Sequence, residues 1–423
     1  MPPAWRWMRR GLSLRGASAA QGLDEVGVKD NKAALGTVFL TVFLDLVGFG
    51  MIIPLVPLYG REYHAAGWRL GLLGAGFSLM GFFFTPFWGR LSDRVGRRKV
   101  MLVSMAGGSA SYLLFGLAST WPVLLGSRLL AGFFAGNIAA AQAVVADVTT
   151  PENRAKGMGL IGMAFGLGFI LGPPLSVLAT HLGGLPAPGL AASGLGLANL
   201  VLALFILPET LPPESRLAKP RALLSSPLDL ASLRQALAKP GLGLLLLLLF
   251  GATLAFSNLE QCFSLLFSAR FGGGASQAIA RTGWMMAWLG VLTAVVQGGL
   301  IHPLTRRFGE RRLLGFGLAL QAVGIFCMPF MPSYLSYGLL MLPLAAGSGL
   351  INPSLSSLLS RSASSKDQGG VLGLGQGLSS LARALGPFIG LAAFEWDLRL
   401  PFIIGGSIML ILLLLDMRYK TKS

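Results

Sequence analysis

Charge is scarce in this chain, and one sign dominates it. Charged residues make up 12% of the 423, and 34 lysines and arginines face only 17 acids. A soluble domain carries roughly a quarter of its residues as charged ones, so a water-exposed globule is excluded. Cysteine is nearly absent: Cys262 and Cys327 both fall inside apolar stretches, which argues against a disulfide framework or a thiolate metal cluster. His64, His181 and His302 are scattered among loops without ligand spacing, so no metal and no cofactor is expected. There is no GxxxxGK[ST] phosphate loop, no HExxH and no GxSxG. Neither an enzyme nor a nucleotide-driven machine is predicted.

Apolar sequence is what the chain has in abundance, at 53%. Runs of about 18 residues or more recur along it, each long enough to cross a bilayer. The expected fold class is an all-α membrane protein of twelve transmembrane helices, near 34–59, 70–89, 100–118, 121–147, 158–180, 189–207, 241–267, 282–301, 313–331, 334–359, 371–394 and 400–416. The Arg-rich residues 1–32 lack the apolar core of a secretory signal and are expected to form a disordered cytosolic tail. A first six-helix half then covers 33–207, a polar, Pro-punctuated cytosolic linker 208–240, a second half 241–416 and a short cytosolic tail 417–423.

The basic excess follows this topology. Of the 34 lysines and arginines, 27 fall in the termini and the 2–3, 4–5, 6–7, 8–9 and 10–11 connections. Five lie on the other side, and Arg128 and Arg383 lie within spans. By the positive-inside rule both termini are cytoplasmic. The charge is therefore topological, and no nucleic-acid partner is implied. The halves also repeat: GRLSDRVGRRKV (89–100) aligns with HPLTRRFGERRL (302–313) at an offset of 213, and GLGFILGPP (166–174) with ARALGPFIG (382–390) at 214. Two six-helix halves related by an axis along the membrane normal are a transporter architecture.

These segments carry a resemblance. GRLSDRVGRRKV resembles the loop 2–3 signature of the major facilitator superfamily, and SRLLAGFFAG (127–136) its span-four motif. GLGFILGPPLS (166–176) is similar to the span-five motif of proton-coupled antiporters, and LDLVGFGMIIPLVP (44–57) resembles the span-one signature of the twelve-span drug:proton antiporter branch. ADVTTPENRAKGMGLIGMAFGLGFILGP (146–173) and LPET (207–210) look closest to tetracycline-exporter-like proteins. The resemblance implies the major facilitator fold and a secondary active transporter, an antiporter exporting small amphiphilic compounds, drug-like or tetracycline-like, against protons. Alternatives are a proton-coupled uptake porter for a metabolite and a non-transporting receptor on the same scaffold. The implied partners are a small-molecule substrate, protons and the lipid bilayer; the implied setting is a monomer in a bacterial inner membrane.

Several residues stand out physically. Asp45 lies about 17 Å along the first span, near mid-membrane, where an ionised Asp costs about 2.5–3.5 kcal/mol. A carboxyl there needs a cation, water or a proton, and the resemblance favours proton coupling. Arg128, in span four, is the natural counter-charge, and Glu260 a second proton or cation site. In the 2–3 loop, Gly89 permits close helix approach and Gly96 a tight turn. The resemblance places Asp93 against the N-terminus of span eleven, with Arg94 and Arg98 pairing to Asp147, as a latch between the halves. Arg306 replaces Asp93 in the second copy, so a symmetric latch is not expected there. In span five, Gly162, Gly166, Gly168 and Gly172 supply two small-residue faces ahead of Pro173, and the resemblance implies a seal against leak. Pro174-Leu175-Ser176 departs from the glycine-rich continuation of that pattern. Candidate cavity-lining residues are Asn137, Gln142, Asn258, Glu260, Phe263, Gln297 and Arg383.

Overall fold

The computed structural model describes residues 32–149, 154–211, 234, 236–272, 274–362 and 368–420. The expected N-terminal tail and C-terminal tip, and most of the 208–240 linker, lie outside the described residues. Every regular element within them is helical.

Eleven helices are long and apolar enough to cross a membrane: α1 (Lys32–Glu62), α2 (Trp68–Val95), α4 (Trp121–Val148), α5 (Gly157–Gly183), α6 (Ala187–Ile206), α7 (Gly241–Phe271), α8 (Ser276–Phe308), α9 (Glu310–Phe330), α10 (Tyr334–Arg361), α11 (Val371–Phe394) and α12 (Leu400–Tyr419). The twelfth, α3 (Arg97–Gly116), falls short in hydropathy because its middle reads AGGSAS. Its small residues are spent on helix contact. The Ser109 hydroxyl donates to the Ser193 carbonyl of α6 at 2.7 Å, and a Cβ on Gly116 would sit 3.1 Å or less from the α6 backbone at Leu190 and Gly189. Without a hydrophobic force between helices in lipid, such close backbone approach is what holds them. Several helices outrun the expected spans; α8 continues to Phe308, beyond the hydrocarbon reach of an 18-residue run.

An even number of spans puts both chain ends on one face of the bundle, the terminal face. At the opposite face the halves are joined. One buried apolar cluster runs from Ile52, Leu55, Tyr59 and Leu70 of the first half into Leu259, Phe263 and Leu266 of the second. A Cβ on Gly71 would lie 3.0 Å from the Phe388 carbonyl of α11, and one on Gly74 3.0 Å from Pro387. Gly283 of α8 meets Val177 and Pro173 of α5 as closely. Arg61 closes this face, its Nη2 2.9 Å from Glu395 Oε1, with its guanidinium over the Phe394 ring. A cleft of about 640 Å³, lined by Arg61, Glu395, Trp396 and Arg399 among others, opens beside the pair. A second buried cluster, around Val38, Val42, Met101 and Val144, stays within the first half toward the terminal face.

Candidate functional site

Helix α4 is broken at 134–136, between Phe133 and Asn137. Trp88 of α2 fills the break: its Nε1 donates to the Phe133 carbonyl at 2.5 Å, and a Cβ on Gly136 would strike its side chain. The restarted helix begins at Asn137, whose Nδ2 donates to Asp45 Oδ2 at 3.1 Å. The acid in the middle of α1 is thus met by an amide and not by a cation.

Arg128 sits one helix segment earlier on α4. Its residue is 4% exposed, its Cζ lies 5.2 Å from the centroid of Phe77, and its Nε has no hydrogen-bond partner. Among the described residues no acid lies within ion-pair distance of it. Tyr112 of α3 stands within electrostatic range of both Asp45 and Arg128 and packs where a Cβ on Gly48 would touch its ring at 3.4 Å.

In the second half, Glu260 and Arg383 interact electrostatically across α7 and α11 without forming a direct ion pair. The contact between Ser257 and the Ala382 carbonyl, 3.4 Å, registers the two helices beside them. Arg383 reaches Ser380 on its own helix at 3.4 Å. The cavity candidates divide. Gln142 and Gln297 are exposed, and Gln297 lies in a π-helical turn, Val296–Leu300, a feature often found at functional sites. Asn258 and Phe263 are both buried in helix contact. Asn258 Nδ2 donates to the Pro401 carbonyl at 2.8 Å, and Phe263 packs against Phe267 with tilted rings 4.4 Å apart.

The terminal-face network centres on an arginine outside the expected latch set. Arg97, one residue past the turn at Gly96 (φ 104°), bridges Asp93 and Asp147. Its Nη1 meets Asp93 at 2.5 Å and its Nε meets Asp147 at 3.1 Å, while Arg98 donates to the Leu204 carbonyl at 2.6 Å. Glu209, in LPET, accepts from the Arg97 backbone N–H at 2.9 Å, an acid at a helix N-terminus where the dipole favours it. These contacts lie within one half. A Cβ on Gly89 would meet nothing within 4 Å, nor would one on Gly162 or Gly166. Of the four span-five glycines, Gly168 and Gly172 form the close seam with α1: a Cβ on Gly172 would be 2.5 Å from the Gly50 backbone.

A profile described as Major Facilitator Superfamily matches residues 38–387 and, in a second match, 263–422. The chain belongs to that superfamily. It is 29% identical over 399 residues to multidrug resistance protein 2 of Bacillus subtilis (strain 168), covering 93% of this chain and 97% of that protein. It is 31% identical over 399 residues to the class C tetracycline resistance protein of Escherichia coli, covering 91% and 96%. The crystal structure of the human organic anion transporter MFSD10 (TETRAN) superposes with a TM-score of 0.69 at 28% identity, covering 91% of this chain and 99% of that one. The chain is a multi-pass membrane transporter of this superfamily, and not an enzyme.

Proposed function

We propose that the chain is a proton-coupled antiporter that exports small amphiphilic compounds, drug-like or tetracycline-like, by alternating access. The observation that carries this reading is Asp45: an acid in an apolar span, held by the Asn137 amide, with the buried Arg128 on the same helix as Asn137 but bonded to no acid. A carboxyl so placed takes a proton cheaply when its cation is distant and loses it when a cation approaches. Rearrangement of α4 about its break at 134–136 changes that distance, and so ties protonation to the closing of one face. Glu260, facing Arg383, is the second coupling candidate. The multidrug and tetracycline resistance relatives support export, and their bacterial source supports a plasma-membrane location; the excess of Lys and Arg in the even-numbered connections supports cytoplasmic termini.

The test is transport in liposomes reconstituted with wild type or Asp45→Asn, under an imposed pH gradient, with tetracycline and cationic dyes. Uphill movement lost in Asp45→Asn while downhill exchange persists supports the reading. Uphill movement that survives in Asp45→Asn overturns it and turns attention to Glu260. The likeness to an organic anion transporter leaves the direction open; the second reading is uptake of a metabolite with protons, which the sign of proton flow relative to substrate distinguishes.

A further inference from the structure

Three phenylalanines from three helices form a row of rings that ends at Arg128. The Phe49 ring of α1 lies 4.8 Å from Phe77 of α2 and 6.2 Å, edge-on, from Phe169 of α5. The Arg128 guanidinium lies over the outer ring of this group, Phe77, at 5.2 Å. None of the three rings is fully buried, while the guanidinium beside them is 4% exposed with its Nε unbonded. A guanidinium is a permanent cation that presents a planar fork of donors. Burying one without an anion is costly, and a cation–π contact returns only a part of that. Asp45, the nearest acid by sequence reasoning, is engaged with Asn137 at 3.1 Å.

We propose that this corner of the first half is a subsite for an aromatic anion. The Phe49, Phe77 and Phe169 rings receive a flat ring system, and Arg128 takes its carboxylate or sulfonate in a charge-assisted, two-point hydrogen bond. The substrate class is then planar amphiphiles carrying a negative group, selected by a fixed cation and not by the coupling acid. The proposal rests on the transporter reading above but not on its proton coupling, since binding at equilibrium needs no gradient.

Equilibrium dialysis of the purified full chain against 2-naphthoate and its neutral analogue 2-naphthamide tests it. The wild type is expected to bind naphthoate about tenfold or more tightly than the amide, the difference of one charge-assisted contact. Arg128→Gln should bring the two ligands together, and Phe77→Leu should weaken both alike. Equal binding of the pair by the wild type, absence of naphthoate binding at millimolar concentration, or a preference undiminished in Arg128→Gln overturns the proposal. Absence of binding would assign Arg128 to Asp45 in another conformation instead. Should Arg128→Gln fail to fold, Arg128→Lys keeps the charge without the planar fork: a reduced preference supports the subsite, and an unchanged one overturns it. Loss of proton coupling at Asp45→Asn with this binding pattern intact, or the reverse, separates the two readings.

Discussion

Arg97 and Glu310 stand at equivalent places in the two halves, 213 positions apart, and carry opposite charges. Each opens a helix after a glycine of positive φ, Gly96 at 104° and Gly309 at 76°. Each reaches the far end of the next helix: Arg97 to Asp147 at 3.1 Å, and Glu310 to Arg361 at 3.3 Å. Glu310 also accepts from Ser357 at 2.6 Å. The pairing therefore recurs in the second half with its polarity reversed, while the Arg306-for-Asp93 replacement argued only against a symmetric latch. Opposite charge is what the contact requires; which partner carries which sign is free to change.

The two copies should differ in worth. The Arg97 side chain is 9% exposed and serves two acids, whereas that of Arg361 is 75% exposed. Breaking a mostly buried pair leaves stranded charge, and a solvated pair contributes about 0–1 kcal/mol. Arg97→Ala should lower stability by about 2 kcal/mol, discounted for the partly exposed acids, and Arg361→Ala should change it little. Thermal melting of the purified variants compares them; equal shifts would contradict the burial argument.

The α1–α5 seam gives a second contrast. A methyl group at Gly172 collides with backbone, which cannot turn aside, while one at Gly166 enters open space. Gly172→Ala should cost about 1–3 kcal/mol or disrupt assembly, as overpacking does, and Gly166→Ala should be silent. Yield and melting temperature from membranes expressing each variant read this directly.

The Arg61–Glu395 pair predicts a lock. With side chains 46% and 26% exposed it adds little stability, but it joins the halves at the face opposite the termini. Arg61→Cys combined with Glu395→Cys should be bridged by a short thiol cross-linker and should then stop transport, with cleavage of the linker restoring it. Transport that continues after complete cross-linking would mean that this face does not open.

Asn258 should prove structural. Its residue is 1% exposed, tied by its amide to Pro401 and accepting from the Cys262 thiol at 3.3 Å. Asn258→Ala should lose about 1–3 kcal/mol through the stranded Pro401 carbonyl, and leave the order of preference among transported compounds as it was. A changed order would return Asn258 to the cavity wall.

Apolar runs, basic loops and the 213-residue repeat were enough to determine that this chain is a twelve-helix, two-half membrane protein, because each rests on one helix meeting lipid or water, a property local to its own residues. The same holds for α3, legible as a span although its small residues lower its hydropathy. Asp45, Arg128, Glu260 and Arg383 were visible for the same reason: charge is conspicuous in apolar sequence. What they touch was not. That Asn137 and not Arg128 bonds Asp45 depends on a break in α4 that Trp88 of another helix fills. That Arg97 joins Asp93 to Asp147 depends on the turn at Gly96, and that three distant phenylalanines line up toward Arg128 depends on how α1, α2, α4 and α5 pack. Partner choice among buried groups is decided by distances between helices, and those are set only when the whole bundle closes.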